Sequence, residues 1–231
     1  MPPTFTILGI PGSVRPQSYS RASLLAARQL APPGVALEIF DLQGIPALST
    51  SRSLEPAPRV AELKRRIRAA DAIVFAAPEY LYSVLTVLDN AIESAAQPLH
   101  DNAWAGKHVA VIGASVASHG AARAQHNLRR GLVALNMQPI DQSTVMISSA
   151  RRSFDVKGQL IDKNIRAQIA QLLADLVNTA SSGKSAGDGI DDALPPGTTP
   201  QACGGQDTVL AQRAAGQRPS STTSTPSAPT Y

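Results

Sequence analysis

The chain has 231 residues, 43% hydrophobic and 16% charged, with a formal charge of +4. Its single cysteine, Cys203, excludes a disulfide framework, and no stretch approaches the roughly 18 uninterrupted apolar residues of a membrane span. The N-terminus lacks a basic segment followed by an apolar one, so a cytoplasmic protein is expected.

The two ends of the chain differ in composition. From Ser181 to Tyr231, 27 of 51 residues are Gly, Pro, Ser or Thr. Such a segment buries too little apolar surface to offset its ordering entropy, so residues 181–231 are expected to form a low-complexity disordered tail. Residues 1–180 are expected to form one domain and carry a charge of +5, because the tail holds three cationic and four acidic residues. Cys203 falls in the tail, which rules out a thiolate nucleophile in the fold. The densest basic run, Lys64, Arg65, Arg66 and Arg68, shares a predicted helix with Val60, Leu63 and Ile67 and reads as a solvated face. No aromatic residues are interleaved with it, and no nucleic-acid partner is expected.

Phe5 to Ile10 is a short apolar run rich in strand formers, stopped by Pro11 and Gly12. Ser13 to Ser20 then supplies serine hydroxyls, Gln17 and Arg15 before a helical pattern begins around Leu24. Free N–H groups and the positive end of the helix dipole gather at a strand-to-helix junction of this kind. Such a junction suits a phosphate, and Arg15 adds a bidentate fork of donors. One N-cap needs one hydroxyl, and this loop offers more than one cap requires. It lacks both the Gly-x-Gly-x-x-Gly and the Gly-Lys-Ser/Thr fingerprints.

A second strand is expected at Val35 to Phe40 and a helix at Arg59 to Ala70. Ala72 to Ala77 has no polar face, as in a parallel strand covered on both sides. A helix from Val84, a strand at His108 to Ala114, a helix through Leu128 and Leu135, a fifth strand at Ile140 to Ile147 and a last helix through Leu176 complete the alternation. Five strands alternating with helices predict an α/β fold with a doubly wound five-stranded parallel sheet. Ligands of such sheets bind beyond the carboxyl ends of the strands. Three loops leave such ends, Pro11 to Ser18, Pro78 to Ser83 and Ser115 to Gly120, and they are expected to meet at one site. Tyr80 and Tyr82 in the second loop suit a flat ring, although tyrosines also serve as packing residues or subunit contacts.

Gly12-Ser13-Val14-Arg15 with Ser18 and Arg21, Pro78-Glu79-Tyr80 with Ser83 and Asn90-Ala91-Ile92, and Gly120 with Arg123-Ala124-Gln125 and Leu128-Arg129 together resemble the NAD(P)H-dependent FMN reductase family. The resemblance covers about residues 4 to 178 and implies a flavodoxin-like fold. It also implies that hydride passes from NADPH or NADH to bound FMN and on to quinone-like or other small acceptors. It places the FMN phosphate on Ser13, Val14, Arg15, Gln17, Ser18, Tyr19 and Ser20. The isoalloxazine ring falls on Pro78, Glu79, Tyr80 and Leu81, with Ser115 at its other edge. It names no catalytic acid or base and implies a homodimer or homotetramer, for which the helix from Val84 is the candidate contact. Members often have Asn at the positions of Leu81 and Ser20, Lys at Asp89 and Gly at His119.

Other readings of the residues are weaker. Gly113-Ala114-Ser115-Val116-Ala117 nearly matches a nucleophile elbow, but His119 and His126 follow Ser115 too closely to be a late triad histidine. Those two histidines lack a third nearby ligand, and no metal is expected. The alternative to an enzyme is a non-catalytic flavin-binding redox-sensing module, which would be yellow but would not turn over.

Overall fold

The computed structural model describes residues 3–47, 57–78, 86–115, 121–140 and 145–187. In chain order the elements are β1 (Phe5–Pro11), α1 (Tyr19–Gln29), β2 (Val35–Ile39), α2 (Pro58–Ala69), β3 (Ala72–Pro78) and α3 (Thr86–Ala96). They continue with β4 (His108–Ala114), α4 (Ala121–Ala134), β5 (Gln138–Pro139), β6 (Val145–Ile147), α5 (Ala150–Ser153) and α6 (Lys163–Gly187). A single 3-10 turn, Leu99–Asp101, lies between α3 and β4.

All pairings within the sheet are parallel, in the order β2-β1-β3-β4-β5, with β6 also on β4. The alternating side chains of β3 explain its unbroken apolar sequence. Ala72, Val74 and Ala76 enter the core that holds Leu24 of α1 and Leu172 of α6. Ile73, Phe75 and Ala77 enter the opposite core, with Leu63 of α2, Leu88 of α3 and Leu132 of α4. Helices therefore cover both faces, as the lack of a polar side requires. Gly9 sets the spacing on the first face. A Cβ there would stand 3.1 Å from Leu37 Cδ2 and 3.2 Å from Leu24 Cδ2, so the missing side chain lets α1 lie close to β1.

Three sequence expectations need correcting. The fifth strand begins on β4 at Gln138 rather than Ile140 and is paired with β4 again at Val145–Ile147, with 141–144 outside the described residues. Pro139 has no N–H to extend a ladder, which suits a strand confined to the sheet edge. The helix expected from Val84 is present over Thr86–Ala96, and Val84 itself lies outside the described residues. The last helix runs through Gly187, past the Ala180 boundary, because Ala180 is buried and Gly183 packs on His108. Lys64 is not on a solvated face: it is 2% exposed, and its ammonium reaches the Gln97 carbonyl and the Asp101 carboxylate. Arg66 and Arg68 pair with Glu38 and Asp101.

Candidate flavin site at the strand ends

The chain leaves β1 for β2 on one side and returns to β3 on the other, so the sheet order reverses between β1 and β3. A crevice forms at that switch point, outside the strand ends. Pro11 is level with Ala76, and Pro78 with Ala114, so β1, β3 and β4 finish side by side. The N–H of Gly12 donates to the Ala76 carbonyl at 2.8 Å and carries the ladder one residue into the loop. The loop after β1 thus starts from a fixed position beside the end of β3.

Ser18 is the N-cap of α1, and its Oγ accepts from the Arg21 N–H at 3.2 Å. The Oγ also accepts from the Ser20 hydroxyl at 3.2 Å. With both acceptor positions occupied, the Ser18 hydroxyl has only its own proton to offer a further acceptor. One cap satisfies one of the orphan donors. The N–H groups of Gln17, Tyr19 and Ser20 have no acceptor among the described residues. Tyr19 and Ser20 are the first two positions of an eleven-residue helix, where the dipole favours an anion.

Ser13 is nearly buried, and its Oγ accepts from the Arg15 N–H at 3.3 Å, which tightens the turn. Its hydroxyl proton is free of that bond. Val14 and Gln17 are exposed at the loop crest. The two arginines of the stretch differ in availability. Arg21 donates to Asp41 Oδ2 at 2.9 Å at the end of β2, whereas the exposed Arg15 guanidinium has no acceptor among the described residues. Ser20 is fully buried, and its hydroxyl holds Ser18. The loop therefore presents donors and a cation with no carboxylate among them, a set that fits a phosphate monoester.

Pro78 closes β3 beside Ala114, so the second loop leaves from the strand next to the cradle. Glu79, Tyr80 and Leu81 lie outside the described residues, as do 116–120 of the third loop, including His119. Ser115 is buried at the corner after β4, its N–H donating to the Ile147 carbonyl at 2.8 Å and its carbonyl accepting from Ala150 at 2.9 Å. It sits in a firm frame rather than on an open rim. His126 is exposed on α4, and no group of three metal-ligating side chains exists among the described residues.

Two features of this end of the sheet escaped the sequence reading. Asp41 immobilises Arg21, and the segment Ser148-Ser149-Ala150-Arg151-Arg152 returns to the Ser115 corner after β6. A Ser/Arg string directly after a strand was the available signal for the second.

The family described as NADPH-dependent FMN reductase matches residues 5–152. An NAD(P)H-dependent FMN reductase of Pseudomonas aeruginosa is 45% identical over 168 residues, covering 72% of this chain and 90% of the relative. A quinone reductase of Pseudomonas putida is 33% identical over 164 residues, covering 71% of this chain and 88% of the relative. A solved flavoenzyme NAD(P)H:acceptor oxidoreductase of Paracoccus denitrificans has the same fold, with a TM-score of 0.69 at 23% identity, over 78% of this chain and 98% of that one. The free donors at the first strand end, the switch-point topology and these matches agree, and the chain belongs to the NADPH-dependent FMN reductase family, as a flavodoxin-like oxidoreductase that uses FMN and NAD(P)H.

Proposed function

We propose that the FMN phosphate is held by the turn from Ser13 to Ser20, and that the electrons leave for a quinone or another small acceptor at the ends of β3 and β4. The observation that carries this is the Tyr19 N–H at the first position of α1 beside the exposed Arg15 guanidinium, neither with an acceptor among the described residues. Quinone reductases among the relatives support the acceptor class.

FMN supplies the two-electron chemistry when bound, and the protein supplies position, charge and shelter from water. Arg15 and the first turn of α1 hold the phosphoryl oxygens. Ser18 donates its one proton to them, and Ser20 keeps that proton aimed by donating to Ser18 Oγ. Pro78, Glu79, Tyr80 and Leu81 are proposed to receive the ring plane, and the buried Ser115 to close the far edge. No side chain is assigned as a general acid or base.

We further propose a homodimer or homotetramer in the cytoplasm, with a reductase domain that runs through the end of α6 at Gly187 and the remaining residues as an appended tail. The inward face of α3 is spent on its own core, with Leu88, Ala91, Ile92 and Ala95 all buried. Its outward side and the adjoining loop are therefore the contact surface to test by light scattering. No described helix is long and apolar enough to cross a membrane.

The test is to purify the protein, record its visible spectrum and add NADPH with a quinone. A yellow protein that bleaches with NADPH and regains colour with quinone is expected. Arg15→Ala is expected to weaken FMN binding about ten- to a hundredfold, the loss of one charge-assisted contact. Folded protein that stays colourless when soaked in FMN, or an Arg15→Ala variant that keeps FMN undiminished, would overturn the reading.

A further inference from the structure

After β6 the chain turns straight back on the flavin site. Ser149 adopts left-handed backbone angles (φ 51°, ψ 46°), and the Ala150 N–H donates to the Ser115 carbonyl at 2.9 Å. Four residues later the Phe154 ring lies 5.4 Å, centre to centre, from the ring of Tyr19, the first residue of α1. The four-residue helix α5 is thus held between the Ser115 corner and the start of the phosphate loop's helix. Ala150, Ser153 and Phe154 point inward and are buried.

Arg151 and Arg152 are what this segment leaves exposed. Neither guanidinium has an acceptor among the described residues, whereas Arg21, Arg59, Arg66, Arg68, Arg129 and Arg166 each have one. Ser148 is exposed beside them, and the Ser149 hydroxyl makes no capping bond to α5. The next carboxylate along the chain, Asp155, is engaged, its Oδ1 accepting from the N–H groups of Lys157 and Gln159. Among the described residues, these two forks and two hydroxyls have no carboxylate paired with them.

FMN has one phosphate, and Arg15 with the first turn of α1 accounts for it. A second cationic pair at the same rim calls for a second anion, and the co-substrate that must approach this rim is a nicotinamide dinucleotide. Its pyrophosphate carries one charge per phosphorus, while the 2′-phosphate of NADPH is a monoester that approaches two charges at neutral pH. Such a group matches a pair of planar guanidinium forks. We propose that Arg151 and Arg152 bind the 2′-phosphate of NADPH and so set the preference for NADPH over NADH. The inference rests on the flavin site proposed above.

The test uses FMN-loaded protein and two probes, 2′,5′-ADP and 5′-AMP, titrated by calorimetry. Wild type is expected to bind 2′,5′-ADP more tightly than 5′-AMP. The double variant Arg151→Gln/Arg152→Gln is expected to weaken 2′,5′-ADP at least about tenfold, with 5′-AMP and FMN retention unchanged. The ratio of kcat/KM for NADPH to that for NADH should fall by a similar factor. Both arginines are exposed, and the single variants with circular dichroism serve as folding controls. Equal affinity of wild type for the two probes, equal weakening of both in the variant, or unchanged 2′,5′-ADP binding would overturn the proposal. Loss of FMN from the variant would also overturn it, assigning the arginines to the flavin phosphate instead. Failure of the flavin site itself would appear earlier, as wild-type protein that takes up no FMN.

Discussion

Lys64, buried in the middle of α2, donates to Asp101 Oδ2 at 2.5 Å and to the Gln97 carbonyl at 2.7 Å, tying that helix to the turn before β4. Lys64→Met keeps the apolar stem but leaves the Gln97 carbonyl without this donor. We expect a loss of about 1–3 kcal/mol, read as a fall of several degrees in Tm. The Asp101 carboxyl is held below its usual 3.8, first by the hydrogen bond from Lys64; burial opposes this next, and the Lys64, Arg68 and His100 charges each add a smaller lowering. A depressed carboxyl stabilises the fold fully above that value, and the contribution is lost as pH falls below it. Acid titration should show Asp101→Asn to be less sensitive than wild type below about pH 4. Identical acid slopes would show that the pair contributes nothing to acid sensitivity.

The second prediction concerns the close approach of α6 to β4. A Cβ at Gly183 would stand 2.9 Å from His108 Cε1. A cavity of about 450 Å³ lined by His108, Lys107, Arg68 and Gln138 gives the ring somewhere to move. Gly183→Ala gains about 1 kcal/mol of helix propensity, which the displaced ring offsets. We expect the single variant to be nearly neutral and the same change in a His108→Ala background to be stabilising by about 1 kcal/mol, a coupling readable by denaturant titration. Burial also holds the His108 imidazole below its usual 6.5. The unfolded chain then takes up a proton that the folded chain resists. Stability is complete above 6.5 and declines as pH falls toward the lower folded value, and His108→Gln should flatten that decline.

The third prediction separates capping from anion binding at Ser18. Ser18→Ala removes the cap on the Arg21 N–H and should cost about 1 kcal/mol together with part of the FMN affinity. Ser18→Asp keeps a good cap but sets a carboxylate where the phosphate would lie, so stability should be retained while FMN is lost. Comparing Tm with flavin content decides the matter. A Ser18→Asp protein that stays fully yellow would place the phosphate elsewhere.

Gly9 offers the fourth. Gly9→Ala pushes on both leucine methyls and on the Glu38 carbonyl, 3.4 Å away, so overpacking of about 1–3 kcal/mol is expected from thermal unfolding.

Strand and helix order was legible because each element carries its own period. Ala72 to Ala77 could not be a half-exposed strand, and both cores claim alternate residues of it. The start of the last strand was not legible, since it depends on where Gln138 and Pro139 fall against β4. The burial of Lys64 was hidden for a similar reason, because its partners lie 33 and 37 residues away on a different connection. In the phosphate loop, residue types announced donors, but which arginine was free depended on Asp41, 20 residues from Arg21. Arg151 and Arg152 drew no notice because the short helix carrying them has too few residues for any periodicity.

The saturated Ser18 oxygen has a consequence for ligand choice. An end group that merely shares hydrogen bonds, such as the terminal alcohol of riboflavin, can take the one serine proton but leaves the main-chain donors and the guanidinium fork unmatched. Only a group rich in acceptors and carrying charge answers the whole turn. The protein should therefore distinguish the phosphorylated vitamin from its precursor by far more than a single contact would allow.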